Sequence, residues 1–90
     1  MLTVKNLKPN GMQIEIITPD KTIFSGDAFL IQLPGIDGSF EILDNHTPLI
    51  SVLLKGNIKI QKDKQHEAQY FEINGGVVEV LKNKVLILAG

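Results

Sequence analysis

The side chains here that could do chemistry are two histidines, three serines and a short run of acids. His46 and His66 stand in different polar contexts, and neither has a second histidine at the His-x-His or His-x-x-x-His spacing that shared metal ligation favours. They read as surface or loop histidines. Ser25, Ser39 and Ser51 lack the Gly-x-Ser-x-Gly elbow that presents a serine nucleophile. Asp37, Glu41 and Asp44 are close enough in sequence for an acid/base set. Alternation along Ser39 to Leu43, however, leaves Glu41 exposed if Phe40 and Ile42 point inward. Functional acids need a cleft to perturb them, so solvated loop carboxylates are the expectation. Gly75-Gly76 has neither the spacing nor the following Lys-Ser/Thr of a phosphate loop, and reads as a tight turn or bulge between strands. With no cysteine, disulfides, thiolate metal sites and cysteine nucleophiles are excluded. No catalytic set emerges, and no metal or cofactor is implied.

One loop does stand out. Pro34-Gly35-Ile36-Asp37-Gly38-Ser39-Phe40 carries two large apolar side chains among turn-forming residues. Either both fold back to plug the end of the domain, or the loop is a protein-contact tip on a rigid scaffold.

The elements that must position these residues are strands. Ile14 and Ile16 alternate with Gln13 and Glu15, and Phe29, Ile31 and Leu33 alternate with Leu30 and Gln32. Ile58 and Ile60 flank Lys59, Phe71 and Ile73 flank Glu72, and Val78 and Val80 flank Glu79. Period-two runs rich in β-branched residues are half-buried strands. Turn signals fall at 19–21, 25–27, 34–38, 44–48, 55–57, 75–76 and 82–84. Short strands at this spacing make an all-β sandwich or barrel in one domain. The best helix candidate, Lys62 to Gln69, is short and polar. Two runs, 49–54 and 85–88, are apolar on both faces. Either each is covered on both sides within its own fold or is the crossing point of a sandwich, or one sheet face awaits another protein, since a two-layer sandwich has a single core.

Composition bounds the partners. At 43% hydrophobic and 21% charged residues, the 90-residue chain is an ordinary globular domain. At this mass it hides roughly two-thirds of its surface on folding, enough for one core. The nine basic residues are all lysines scattered along the chain, and the net charge is −1. Nucleic-acid binding depends on concentrated positive charge and favours arginine, so it is not expected. No apolar run reaches the ~18–20 residues that span a bilayer, and residues 1–11 contain no apolar stretch resembling a signal peptide. The expectation is a soluble, cytoplasmic protein. Residues 1–11 read as an N-terminal extension or short extra strand, ahead of a domain over 12–90.

Five stretches, in order, resemble the epsilon-subunit family of F-type ATP synthases. Ile17-Thr18-Pro19-Asp20 with Phe24-Ser25-Gly26 is similar to the family's opening, and 34–38 to its Pro-Gly-x-x-Gly loop. Ile42 to Ile50 resembles Ile-Leu-Pro-x-His-x-Pro-Leu-Leu. Gly75-Gly76-Val77-Val78-Glu79-Val80 is similar to Gly-Gly-x-x-Glu-Val, and Asn83 to Ala89 to the terminal Asn-x-Val-x-x-Leu-Ala strand. The matches span Gln13 to Ala89.

The resemblance implies a flattened β-sandwich of about ten short strands. It implies a non-catalytic rotor subunit at the foot of the central stalk, peripheral to the cytoplasmic side of the plasma membrane. There it would bind the gamma subunit and the c-ring and couple ion-driven rotation to ATP synthesis. Carried over by position, Ile36, Asp37, Gly38, Ser39, Phe40, Glu41, Asn45 and His46 would face the c-ring. The family often has an acid where this chain has Ser39, so Asp37 or Glu41 would supply the charge. Thr47, Pro48, Leu49 and Ile50, with an exposed face of one sheet, would face gamma. Many members continue into two inhibitory, sometimes ATP-binding, helices, whereas this sequence stops at Gly90. Rotor coupling without helical inhibition and without bound nucleotide is therefore the expectation. The competing readings are a free-standing β-sandwich protein-binding module and, behind it, a small barrel or jelly-roll enzyme.

Overall fold

The computed structural model describes residues 11–90, so the reading of 1–11 falls, Gly11 apart, outside the described residues. Seven strands follow in order: β1 (Met12–Ile17), β2 (Thr22–Ala28), β3 (Leu30–Gly35), β4 (Gly38–Leu43), β5 (Leu49–Gln61), β6 (Gln69–Leu81) and β7 (Lys84–Ala89). They form one hydrogen-bonded ladder in the order β2-β1-β7-β6-β5-β3-β4. Every pairing is antiparallel except that of β1 with β7.

The ladder folds over on itself. β2, β1 and β7 build one layer with the end of β6 and the start of β5, since β7 pairs only with residues 76–81 of β6. β4 and β3 build the other with the second half of β5, where Leu30, Ile31 and Gln32 pair with 59–61. Phe24 on β2 lies three strands from β6 along the ladder, yet its ring meets Phe71 of β6 at 5.3 Å between centroids with a 58° tilt. That contact closes one layer onto the other in a tilted aromatic pair. A single apolar cluster fills the space between, drawn from all seven strands and including Met12, Ile14, Ala28, Ile31, Ile42, Ile58, Val78 and Ile87. Among the described residues no polar or charged side chain is buried. The architecture is the flattened, all-β sandwich expected.

The strand count is lower than the ten short strands expected, for a reason visible in β5 and β6. Each runs 13 residues, roughly 43 Å at the usual strand rise. The expected turns at 55–57 and 75–76 lie inside them, because the ladder keeps one register through Gly56↔Ile73 and Leu53↔Gly76, skipping only Leu54 and Gly75. What changes there is facing. Leu53 is buried at an odd position of β5, but Ile58 and Ile60 are buried at even ones. On β6 the inward set passes from Ile73 to Val78 and Val80. Gly75, at φ 109, supplies the backbone angle that a side chain would resist. This hairpin thus changes layers at a bend instead of ending at a turn, as strands do at sandwich corners. The Ser25-Gly26-Asp27 turn signal likewise falls within β2, paired to Glu15, Ile14 and Gln13 of β1.

True turns occur at the sheet ends. Ile36-Asp37 links β3 to β4, with Gly35 opposite Gly38. Lys82 and Asn83, at φ 51 and 61 between paired Leu81 and Lys84, form a two-residue loop of the type I′ kind that suits hairpin twist. The 62–68 stretch is not helical. Asp63 Oδ1 organises it, accepting from the backbone N–H of Gln65 and His66 at 2.9 Å each and lying 2.7 Å from His66 Nδ1.

Candidate functional site

The two outer faces of the sandwich differ in kind. On the layer of β3 and β4, the outward row Glu41–Gln32–Lys59–Tyr70 is polar, and Gln32 Nε2 donates to Ser39 Oγ at 3.2 Å. This row is suited to water, while the next outward row, Leu43–Leu30–Gln61, carries the half-exposed Leu43. On the other layer, Val52, Val77, Leu88 and Ile17 stand in one register row across four strands. Their neighbours in sequence, Leu53, Val78, Ile87 and Ile16, are buried, so the row points outward. Ile50, the most exposed large apolar residue at 73%, and Leu54 extend it along β5. A contiguous exposed apolar patch of this kind is a feature common to interaction surfaces. The doubly apolar runs 49–54 and 85–88 are thus not covered within their own fold: Ile50, Val52, Leu54 and Leu88 face outward. The covered-on-both-sides reading is corrected accordingly.

The neighbouring row runs Ile50–Glu79–Leu86–Glu15–Ser25. One shallow depression, formed by Ile50, Val77, Glu79, Leu86 and Leu88, occupies the apolar part of the face. A larger, more polar one adjoins it over Glu15, Ser25, Leu81 and Lys84. Neither is an enclosed cleft, and among the described residues no group of three or more potential metal ligands converges.

The 34–40 loop divides its two apolar side chains. Phe40 packs against the core and lies over Gly35, where an added Cβ would come within 2.7 Å of its ring. Ile36 remains 63% exposed at the turn. Phe40 and Ile42 do point inward and Glu41 outward, so Asp37, Glu41 and Asp44 form no cluster.

The residues expected to share one end do not meet. β4 separates the Ile36-Asp37 turn from the Asp44–Pro48 loop, since Gly35↔Gly38 closes one end of the β3–β4 hairpin and Leu30↔Leu43 the other. Asn45 and His46 therefore lie some ~17 Å along the strand from Gly38. They sit instead with Thr47, Pro48 and Leu49, at the head of the apolar face. His46 Nδ1 lies 2.6 Å from the Thr47 carbonyl oxygen, a local contact.

Asn83, which the sequence offered only as a turn and motif position and not as a site residue, organises this end. Asn83 Nδ2 donates to Asp44 Oδ1 at 2.6 Å, and Asn83 Oδ1 accepts from the Asn45 N–H at 2.7 Å. Its Nδ2 also reaches the Gly11 carbonyl at 3.4 Å, while its own carbonyl accepts from the Gln13 N–H at 3.0 Å. The available signal was Lys82-Asn83 as a two-residue turn, a place where asparagine tolerates positive φ.

Comparison with known proteins agrees with this geometry. The family model for the β-sandwich domain of the ATP synthase delta/epsilon chain matches residues 11–90. The ATP synthase epsilon chain of Chlorobium limicola is 38% identical over 79 residues, covering 87% of this chain and 88% of that one. That of Sulfurimonas denitrificans is 44% identical over 78 residues, but this chain spans 58% of its length. Among solved structures, a chain of the Tetrahymena thermophila mitochondrial ATP synthase central stalk and c-ring superposes with a TM-score of 0.74 at 25% identity, over 92% of this chain and 66% of that one. A chain of the Euglena gracilis mitochondrial enzyme, at 18% identity and a TM-score of 0.81 over 90% of this chain and 51% of that one, shares the fold. The sequence stretches, the folded-over ladder and these matches agree: the chain belongs to the ATP synthase delta/epsilon family, whose β-sandwich domain it carries.

Proposed function

We propose that this chain is a non-catalytic rotor subunit of an F-type ATP synthase, seated on the gamma subunit through the apolar outer face of β5, β6 and β7. The observation that carries this reading is the outward row Val52–Val77–Leu88–Ile17 on one layer, set against the polar row on the other. A domain bathed in water on both faces gains nothing from that asymmetry. A domain held against another subunit does, at about 25 cal/mol per Å² of apolar surface removed from water.

In this reading the Ile36–Glu41 tip, with exposed Ile36, Asp37 and Glu41, meets the c-ring. Asn45 and His46 join Thr47, Pro48, Leu49 and Ile50 on the gamma side, because they stand at the other end of β4. Resting between both partners, the domain couples ion-driven rotation to ATP synthesis at the membrane periphery, and the bond-making chemistry belongs to other subunits. The likeness to a chain of a central stalk and c-ring assembly supports this placement.

Co-expression with the same organism's gamma subunit, followed by size-exclusion chromatography with light scattering, tests it. A stable one-to-one complex is expected. Val52→Asp, which places a charge in the apolar row, should abolish that complex while lowering the melting temperature of the isolated chain by no more than about 8 °C, so that it stays folded under the binding conditions, since the site is half exposed. Folded gamma eluting alone beside the wild-type chain would overturn the proposal in favour of a free-standing binding module.

A further inference from the structure

We infer that Asn83 and Asp44 form a clasp that positions the 44–48 loop for docking, making Asn83 a positioning residue for the gamma-facing edge. The inference rests on the proposed function above. Asp44 to Pro48 leads directly into Ile50, the most exposed apolar side chain of the docking face. Its bonds to itself are short-range: His46 N–H to the Leu43 carbonyl at 3.1 Å, and the His46 ring to Thr47. Asn45 stands in the left-handed region at φ 65, so the loop turns sharply with little regular structure of its own.

The long-range tethers of this loop are few among the described residues. Asp44 N–H reaches the Phe29 carbonyl at 3.3 Å, and Asn83 supplies the two short bonds, one donated to the Asp44 carboxylate and one accepted from the Asn45 N–H. Asn83 is itself fixed by the β6–β7 turn, which packs its backbone against Gln13 of β1. The clasp therefore references the loop to β1, β6 and β7, which carry much of the apolar face. An ionised carboxylate at 83 would keep the acceptor for the Asn45 N–H but lack the donor that the Asp44 carboxylate takes, which selects asparagine over aspartate.

That chemistry dictates the test. Asn83→Gly keeps the positive φ of the turn and removes both bonds. Asn83→Asp leaves an acceptor for Asn45 but sets a second carboxylate against Asp44. The exchange variant Asp44→Asn/Asn83→Asp swaps donor and acceptor and restores the pair. Affinity for the gamma subunit is measured alongside hydrogen exchange at the Asn45 amide. Asn83→Gly and Asn83→Asp are each expected to weaken gamma binding about tenfold, the scale of a hydrogen bond to a charged group. The single variants should also speed Asn45 exchange, and the double variant should recover both readouts to within about twofold. Wild-type affinity in Asn83→Gly despite a deprotected Asn45 would overturn the inference alone, as would failure of the exchange variant to rescue binding. A wild-type chain that does not bind gamma would overturn the functional reading, and the docking role of the clasp with it.

Discussion

Gly76 shows how little room some single positions leave. A Cβ built there would lie 2.2 Å from the Leu88 carbonyl oxygen, a backbone atom of the paired strand that cannot move aside alone. Gly76→Ala is therefore expected to cost about 3 kcal/mol or more, read as a lower denaturation midpoint with the slope unchanged. Asp63 offers a milder test at the same scale. The His66 side chain, hydrogen-bonded to its carboxylate, holds the Asp63 carboxyl below its usual range against an opposing desolvation, with the Gln65 and His66 amides adding to the lowering. Because the folded value is the lower one, whatever stability this adds is present above the unfolded value and is lost as pH falls through the folded one. In an NMR titration Asp63 should protonate at a lower pH than an ordinary aspartate, and His66→Ala should move its midpoint upward. An unchanged midpoint in His66→Ala would show that the amides alone set it.

At the scale of elements, the β3–β4 hairpin separates two roles that lie four residues apart. Phe40→Ala removes a ring packed on the core and over Gly35, and should cost roughly 2–3 kcal/mol. Ile36→Ala, at an exposed turn position, should change stability by less than ~0.5 kcal/mol while weakening contact at the tip. Thermal melts of the two variants decide between a shared plug and this division of labour. The strands themselves were legible because their inward sets obey a strict period of two: Ile14 and Ile16, Ile31 and Leu33, Val78 and Val80 are buried as alternation requires. The long hairpin was not legible. Lys55-Gly56-Asn57 and Gly75-Gly76 have the composition of turns, and only the single register of the β5–β6 ladder shows that the glycines serve a bend. The apolar face was half legible. Runs at 49–54 and 85–88 announced surplus apolar positions, but which layer they faced depends on a strand order that local spacing does not encode. The separation of Asn45 and His46 from the Ile36 tip was hidden for the same reason: nearness in sequence across one strand becomes distance along its length.

For the whole molecule, the core is a single cluster shared by both layers, and its loss should be cooperative. Ile87→Ala, fully buried in the middle of β7, is expected to cost about 2–5 kcal/mol and to lower the midpoint seen by every spectroscopic probe together. Separate transitions for the two layers would refute the single-core reading. The reason they should not separate lies in the bent hairpin. Sandwiches hold their sheets together by side-chain contact across a core. Here the backbone of β5 and β6 passes from one sheet into the other in a single register, paired from Leu49↔Val80 to Ile60↔Gln69 with only Leu54 and Gly75 skipped at the bend. A twisting force applied to one sheet is carried to its neighbour along covalent bonds and their ladder, as through a folded leaf spring. A domain built in this way behaves as a stiff mechanical link, with little slack between the surface that is pushed and the surface that does the pushing.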